Sequence, residues 1–138
     1  MGHTDTHRTL HQLFNANDLD AMDAYIREDV ASQDHPRGLS LKSREEFKGW
    51  LGEWKTALSD ARVDDATYYE SGNASIATFH GRGINDGEMA GMPPTGKAID
   101  VPFCEFLFFD SEGKVEASQI YYDTMTMLVQ LGHMQPPS

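Results

Sequence analysis

Residues 98–123 limit the possible folds more than any other stretch of this chain. They read AIDVPFCEFLFFDSEGKVEASQIYYD. A long apolar run, Val101 to Phe109, leads into Asp110-Ser111-Glu112-Gly113, and an alternating run follows and ends on Asp123. Two runs rich in β-branched and aromatic residues around a Gly-containing turn predict a hairpin, with strands over 98–109 and 114–123. A hairpin this apolar must be covered on one face at least, so the remaining chain has to supply a packing layer.

The best candidate for that layer lies upstream. Ser43 and Glu46 have capping-box spacing, and Phe47, Trp50, Leu51, Trp54 and Leu58 then recur at helical intervals. A stripe with two tryptophans and a phenylalanine needs a broad apolar surface opposite it, which a curved sheet provides. Leu10, Leu13 and Phe14 mark an earlier helix. Asn17 or Asp18 can cap another, with Leu19, Met22 and Ile26 on its buried side. Val30 to Asp34 reads as a short strand stopped by Pro36 and Gly38. Residues 61–70 and 74–82 read as strands around Ser71-Gly72-Asn73, and 83–97 is a Gly- and Pro-rich connection. A closing helix carries Met125, Leu128 and Leu131, with Gly132 as C-cap. Helices first and antiparallel strands after predict one α+β domain over 1–138. Its N-terminal helices pack on a strongly curved, mostly antiparallel sheet that encloses a small-molecule pocket.

Composition narrows the partners. At 138 residues the chain can bury a core without disulfides. Its net charge of −11, with the acids scattered, repels phosphate backbones and anionic membranes. No run approaches the ~18 apolar residues of a membrane span. The single cysteine, Cys104, lies in the most apolar segment, which fits a reduced, cytoplasmic setting. Neither nucleic acid nor membrane is therefore an expected partner; if part of the aromatic stripe faces the cavity, the expected partner is a small apolar or aromatic substrate.

Several short elements carry a resemblance. Gly83-Ile84-Asn85-Asp86-Gly87, Gly91-Met92-Pro93-Pro94-Thr95-Gly96-Lys97, Asp110-Ser111-Glu112-Gly113-Lys114-Val115, Tyr121-Tyr122-Asp123 and Gln130-Leu131-Gly132 together resemble the SnoaL-like polyketide cyclase family, within the nuclear-transport-factor-2-like superfamily. The resemblance is clear over residues 79–132. It implies a cone-shaped α+β barrel, a homodimer or higher homo-oligomer, and secondary metabolism. It also implies a cofactor-free enzyme that closes a polyketide ring by aldol-type chemistry or performs a related isomerisation. By position in the motif, Asp123 is its general acid/base. Relatives associated with anthracycline hydroxylation leave a hydroxylase as the alternative, and a binding protein with the same pocket is the non-catalytic one. Family members often carry Gly-Thr-His where this chain has Gly83-Ile84-Asn85, and Asn85 cannot take a proton as His would.

Each candidate residue has two readings. Asp123 is either a buried carboxylate whose pKa is lifted toward neutrality, or the N-cap of the closing helix, which lowers it. Gln119 and Tyr121 share its strand face and could hold a developing enolate, or they are ordinary strand residues. Glu105 interrupts an apolar run, where an unpaired carboxylate is expensive to bury, so it faces a polar cavity or solvent. His35 and His80 are candidate proton shuttles or structural residues. Trp54 and Phe103 line the pocket or fill the core. His3, His7 and His11 fall at i, i+4 and i+8, but on a terminus expected to fray, so no metal and no cofactor are predicted. The Gly91…Gly96-Lys97 spacing imitates a phosphate loop but lacks the following Ser or Thr and the following helix.

Overall fold

The computed structural model describes residues 2–137. Three α-helices pack on a six-stranded mixed sheet. In chain order these are α1 (His3–Asn15), β1 (Ile26–Asp34), β2 (Leu39–Leu41), α2 (Arg44–Ala57), β3 (Arg62–Ser71), β4 (Ala74–Ile84), β5 (Ala98–Phe109), β6 (Val115–Tyr122) and α3 (Thr124–Leu131). The strands lie in the order β2-β1-β6-β5-β4-β3, and the sheet does not close. Among the described residues, only the β1–β6 pair is parallel.

The hairpin sets the frame. On β5, Ile99, Val101, Phe103, Glu105, Leu107 and Phe109 are buried and alternate with Asp100, Cys104, Phe106 and Phe108 on the other face. Phe103 pairs with Tyr122 on β6 and Phe79 on β4, and Glu105 pairs with Ile120 and Ala77. These residues define the inner face. Helix α1 packs on β3 and β4, α2 on β1, and α3 on β5. Leu10, Phe47 and Trp50 from the helices join Phe79, Phe103 and Leu107 in one apolar core. Glycine at position 81 permits a close approach to it. A Cβ there would stand 2.4 Å from the Phe103 ring, which stacks on Phe79 of β4.

The heavy stripe forms a helix as its spacing predicts. Ser43 Oγ accepts the Glu46 N–H at 3.1 Å, while Glu46 reaches back to the Lys42 N–H rather than to that of Ser43. The second predicted helix does not form. Asp20–Ala24 makes a single 3-10 turn, and Ile26 opens β1 instead. Leu19, Met22 and Ile26 satisfy helical spacing by coincidence, because pairing of β1 with the distant β6 decides the conformation there. The N-terminus does not fray as expected. Thr6, His7, Leu10 and His11 are all buried, and Asp5 caps the Gly2 N–H.

Candidate functional site

Two carboxyl groups are buried on the inner face, and neither is Asp123. The first is Glu105 on β5, 9% exposed. Its Oε1 stands 2.8 Å from His7 Nε2 and 2.8 Å from His11 Nε2. Helical geometry explains the convergence, because residues four apart stand one above the other on one side of α1. That side lies over β3 and β4. The far ring nitrogens are also occupied. His7 Nδ1 meets Ser75 Oγ at 2.8 Å, and His11 Nδ1 meets Tyr68 OH at 2.7 Å.

The hydrogen-bond inventory assigns the protons. An ionised carboxylate only accepts, so both Nε2 atoms donate to Glu105. An imidazole that carries a single proton, on Nε2, accepts at Nδ1, which makes the Ser75 and Tyr68 hydroxyls the donors there. Burial pushes the Tyr68 phenol up to about 12, which keeps it a donor. Burial alone would raise Glu105, but the hydrogen bonds from His11 and His7 outweigh it and hold the carboxyl well below its ordinary range. Burial likewise keeps His7 neutral, since it lowers the imidazole more than Glu105 raises it.

This cluster stands at the wall of an apolar cavity of about 90 Å³. His11 and Glu105 line it together with Trp50, Trp54, Phe79 and Phe103. Among the described residues, Glu105 Oε2 has no hydrogen-bond partner. An apolar cavity that takes benzene measures about 150 Å³, so this one is smaller than a single aromatic ring needs.

The second buried carboxyl is Asp34 at the end of β1, 1% exposed. It accepts from Trp50 Nε1 at 3.0 Å, from Tyr122 OH at 3.0 Å to each oxygen, and from the Arg37 N–H at 3.2 Å. Burial first, and then Asp34 itself, push the Tyr122 phenol far above its usual value, so it remains a donor. Asp34 is saturated and does not line the cavity. It ties β1, β6 and α2 together behind the tryptophan wall.

The sequence-predicted residues divide between the two faces. Glu105, Trp54 and Phe103 reach the cavity. Asp123, Gln119, Tyr121, His35 and His80 do not line it. Asp123 caps α3, with Oδ1 accepting the Thr126 N–H at 3.0 Å and Oδ2 the Thr126 hydroxyl at 2.5 Å. Those bonds hold its pKa below the ordinary value, and the group is exposed. The expectation of a dry, proton-holding Asp123 is therefore not met, because strand alternation turns Tyr122 inward and its two neighbours outward. On the outer face Tyr121 is 43% exposed and stacks on His35 at 4.5 Å. Gln119 accepts from Tyr121 OH at 3.1 Å and stands 3.2 Å from His35 Nε2. His80 meets Asp100 at 2.7 Å in a half-exposed pair. His80, Tyr121 and Asp123, with Cys104, border a wide open depression of about 560 Å³. Phe103 is the only member of the predicted set that touches both hollows.

Asp123→Ala should lower the melting temperature by loss of the cap, whereas Asp123→Asn, an equally good cap, should be near neutral. Neither should alter the rate of a reaction in the inner cavity. Thermal melting and a rate comparison of the two variants with wild type check this. Asn85 also proves structural. Its side chain donates to the Ala57 and Gly87 carbonyls and accepts from the Thr95 N–H and hydroxyl, pinning the 83–97 connection.

Three helices on an open, mostly antiparallel sheet, with a hollow between the layers, make this an α+β protein of the NTF2-like, ketosteroid-isomerase-like class. Within that class the chain belongs to the SnoaL-like polyketide cyclase family, whose model matches residues 4–131. Solved structures agree on the fold. IdmH of Streptomyces antibioticus, provisionally named a polyketide cyclase, superposes with a TM-score of 0.83 at 22% identity, over 96% of this chain and 99% of its own. A Pseudomonas putida protein of the same provisional name gives 0.85 at 22% identity, over 95% and 98%. AclR of Streptomyces galilaeus, provisionally named a hydroxylase, gives 0.84 at 18% identity, over 99% and 84%. No curated protein sequence matches the chain. Among the described residues, no helix is long and apolar enough to cross a membrane.

Proposed function

We propose that this chain is an enzyme of polyketide or aromatic small-molecule metabolism, and that Glu105, not Asp123, is its proton-transfer group. The reaction is abstraction of a carbon-bound proton that starts an aldol-type ring closure or an isomerisation. One observation carries the reading. A buried carboxylate with a free oxygen stands at the wall of an otherwise apolar cavity, oriented by two imidazoles.

The electrostatics also restrict the substrate. The imidazole hydrogen bonds keep Glu105 ionised at neutral pH, so it is always ready to accept a proton, but they weaken it as a base. A weak base removes only an acidic carbon proton, such as one on a methylene between two carbonyls. Poly-β-ketone chains are built of such methylenes. The cavity takes the flanked methylene, and the aromatic residues around it, Trp50, Trp54 and Phe103, suit a flat ring held at the mouth. Excluding water there strengthens every charge interaction with the developing enolate.

Ethyl benzoylacetate, with one ring and one flanked methylene, is a suitable probe. Binding is read from quenching of tryptophan fluorescence, and exchange of the methylene protons from NMR in mildly acidic D2O. The protein should bind the probe and accelerate exchange at least tenfold over buffer. Binding without acceleration would leave a binding protein in place of an enzyme. Failure to bind would remove the substrate class.

A further inference from the structure

We propose that His7, His11 and Glu105 form a binding site for one divalent first-row transition ion, taken by the two Nε2 atoms and the Glu105 carboxylate. The inference uses residues of the proposed catalytic site but does not depend on proton transfer, since the ion binds whether or not the carboxylate acts as a base.

Four features support it. Geometry comes first. The three ligand atoms lie within 4.8 Å of one another, and both Nε2 atoms stand 2.8 Å from the same oxygen. Ligands bound at about 2.1 Å stand about 3.0 Å apart in an octahedral face and about 3.4 Å apart in a tetrahedron, so the two edges fixed here need only a few tenths of an ångström of opening. The second is proton bookkeeping. Ser75 and Tyr68 hydroxyls either donate or accept. Each ring can move its proton from Nε2 to Nδ1, while its hydroxyl partner turns from donor to acceptor. Both lone pairs are then freed, and no net proton has to leave. These hydroxyls become the outer partners that orient metal-bound histidines.

The third feature is charge. Glu105 is buried, and its hydrogen-bond partners among the described residues include no Lys or Arg, so a dication supplies the compensating positive charge. The fourth is access. His11 and Glu105 both line the cavity, so the remaining coordination positions open toward it and leave room for water or an oxygen ligand. Two imidazoles and one carboxylate suit Zn²⁺, Fe²⁺ or Co²⁺ better than Mg²⁺ or Ca²⁺.

The test uses the whole protein, stripped with chelator and titrated with Co²⁺ and Zn²⁺. Co²⁺ should bind one per chain with a visible d–d absorption band that Zn²⁺ abolishes. In wild type, ¹⁵N NMR should show Zn²⁺ moving the ring nitrogens of His7 and His11 and no other histidines. Tyr68→Phe removes an outer partner but keeps the ring, and should weaken binding about tenfold or more. His11→Asn should weaken it at least a hundredfold. Shifts confined to His3, His35, His80 or His133, or Co²⁺ binding undiminished in folded His11→Asn, would overturn the proposal. Absence of the band in wild type would do so without any variant.

Discussion

Glu105→Ala should be among the most destabilising single substitutions in this chain, costing about 3–5 kcal/mol, from two stranded buried donors at about 1–3 kcal/mol each and the side-chain volume lost. The substitution removes the acceptor for two buried imidazole N–H groups and leaves them without another partner. For a domain of this length, that corresponds to a fall in melting temperature on the order of 10–20 °C. The cluster also predicts a pH dependence. His7 is held below its ordinary 6.5 and Glu105 below its ordinary 4.5. In both cases the unfolded chain takes up the proton first as pH falls, so acid favours unfolding. Stability should therefore fall as pH drops through about 6.5, from His7, and further below about 4.5, from Glu105. Urea melts from pH 8 to pH 4, run with chelator present, read both contributions. Glu105→Gln should flatten the lower part of that curve, because its side chain does not titrate.

Asp34→Ala should be nearly as costly, at about 3–5 kcal/mol, for a different reason. Asp34 is one acceptor for three donors, the Trp50 indole, the Tyr122 phenol and the Arg37 amide. Truncating it leaves two aromatic donors buried and unpaired at the junction of β1, β6 and α2. Trp50→Phe, which removes only one donor, should lose much less of that energy. If the double variant Asp34→Ala with Trp50→Phe were no better than additive, the two groups would not be coupled. Neither Asp34 nor Trp50 is a hydrogen-bond partner of Glu105. Binding of an aryl probe should weaken through the displaced Trp50 wall, while the pH dependence contributed by His7 and Glu105 persists.

Local pattern was enough for the hairpin and the heavy helix, because each rests on contacts written into a short stretch. The predicted strand over 98–109 matches Ala98–Phe109, and 114–123 overlaps Val115–Tyr122. The Ser43 cap and the Trp50–Trp54 stripe are equally local. What failed depends on distant partners. Nothing in IREDVASQD announces a parallel strand beside β6, and Asp34 shows its importance only when Trp50 and Tyr122 arrive from elsewhere in the chain.

The site was half legible for the same reason. Glu105 stood out as a carboxylate too expensive to bury alone. Its partners, His7 and His11, are visible at i and i+4, but on a terminal segment whose position alone predicts fraying. A usable signal was there. His7, Leu10, His11 and Phe14 share one helix face, so the histidines stand beside the apolar anchors of α1 rather than away from them. Asp123 went the other way, since the motif position and the cap position coincide and only the side chain's direction separates them.

The most direct measurement compares Glu105→Gln with Asp123→Asn in methylene-proton exchange of ethyl benzoylacetate, with both proteins first shown to be folded and metal-free. Loss of at least tenfold in the Glu105 variant, with an Asp123 variant within twofold of wild type, is the result predicted here. The reverse pattern, a fast Glu105→Gln and a silent Asp123→Asn, would place the chemistry at the outer rim and contradict the account.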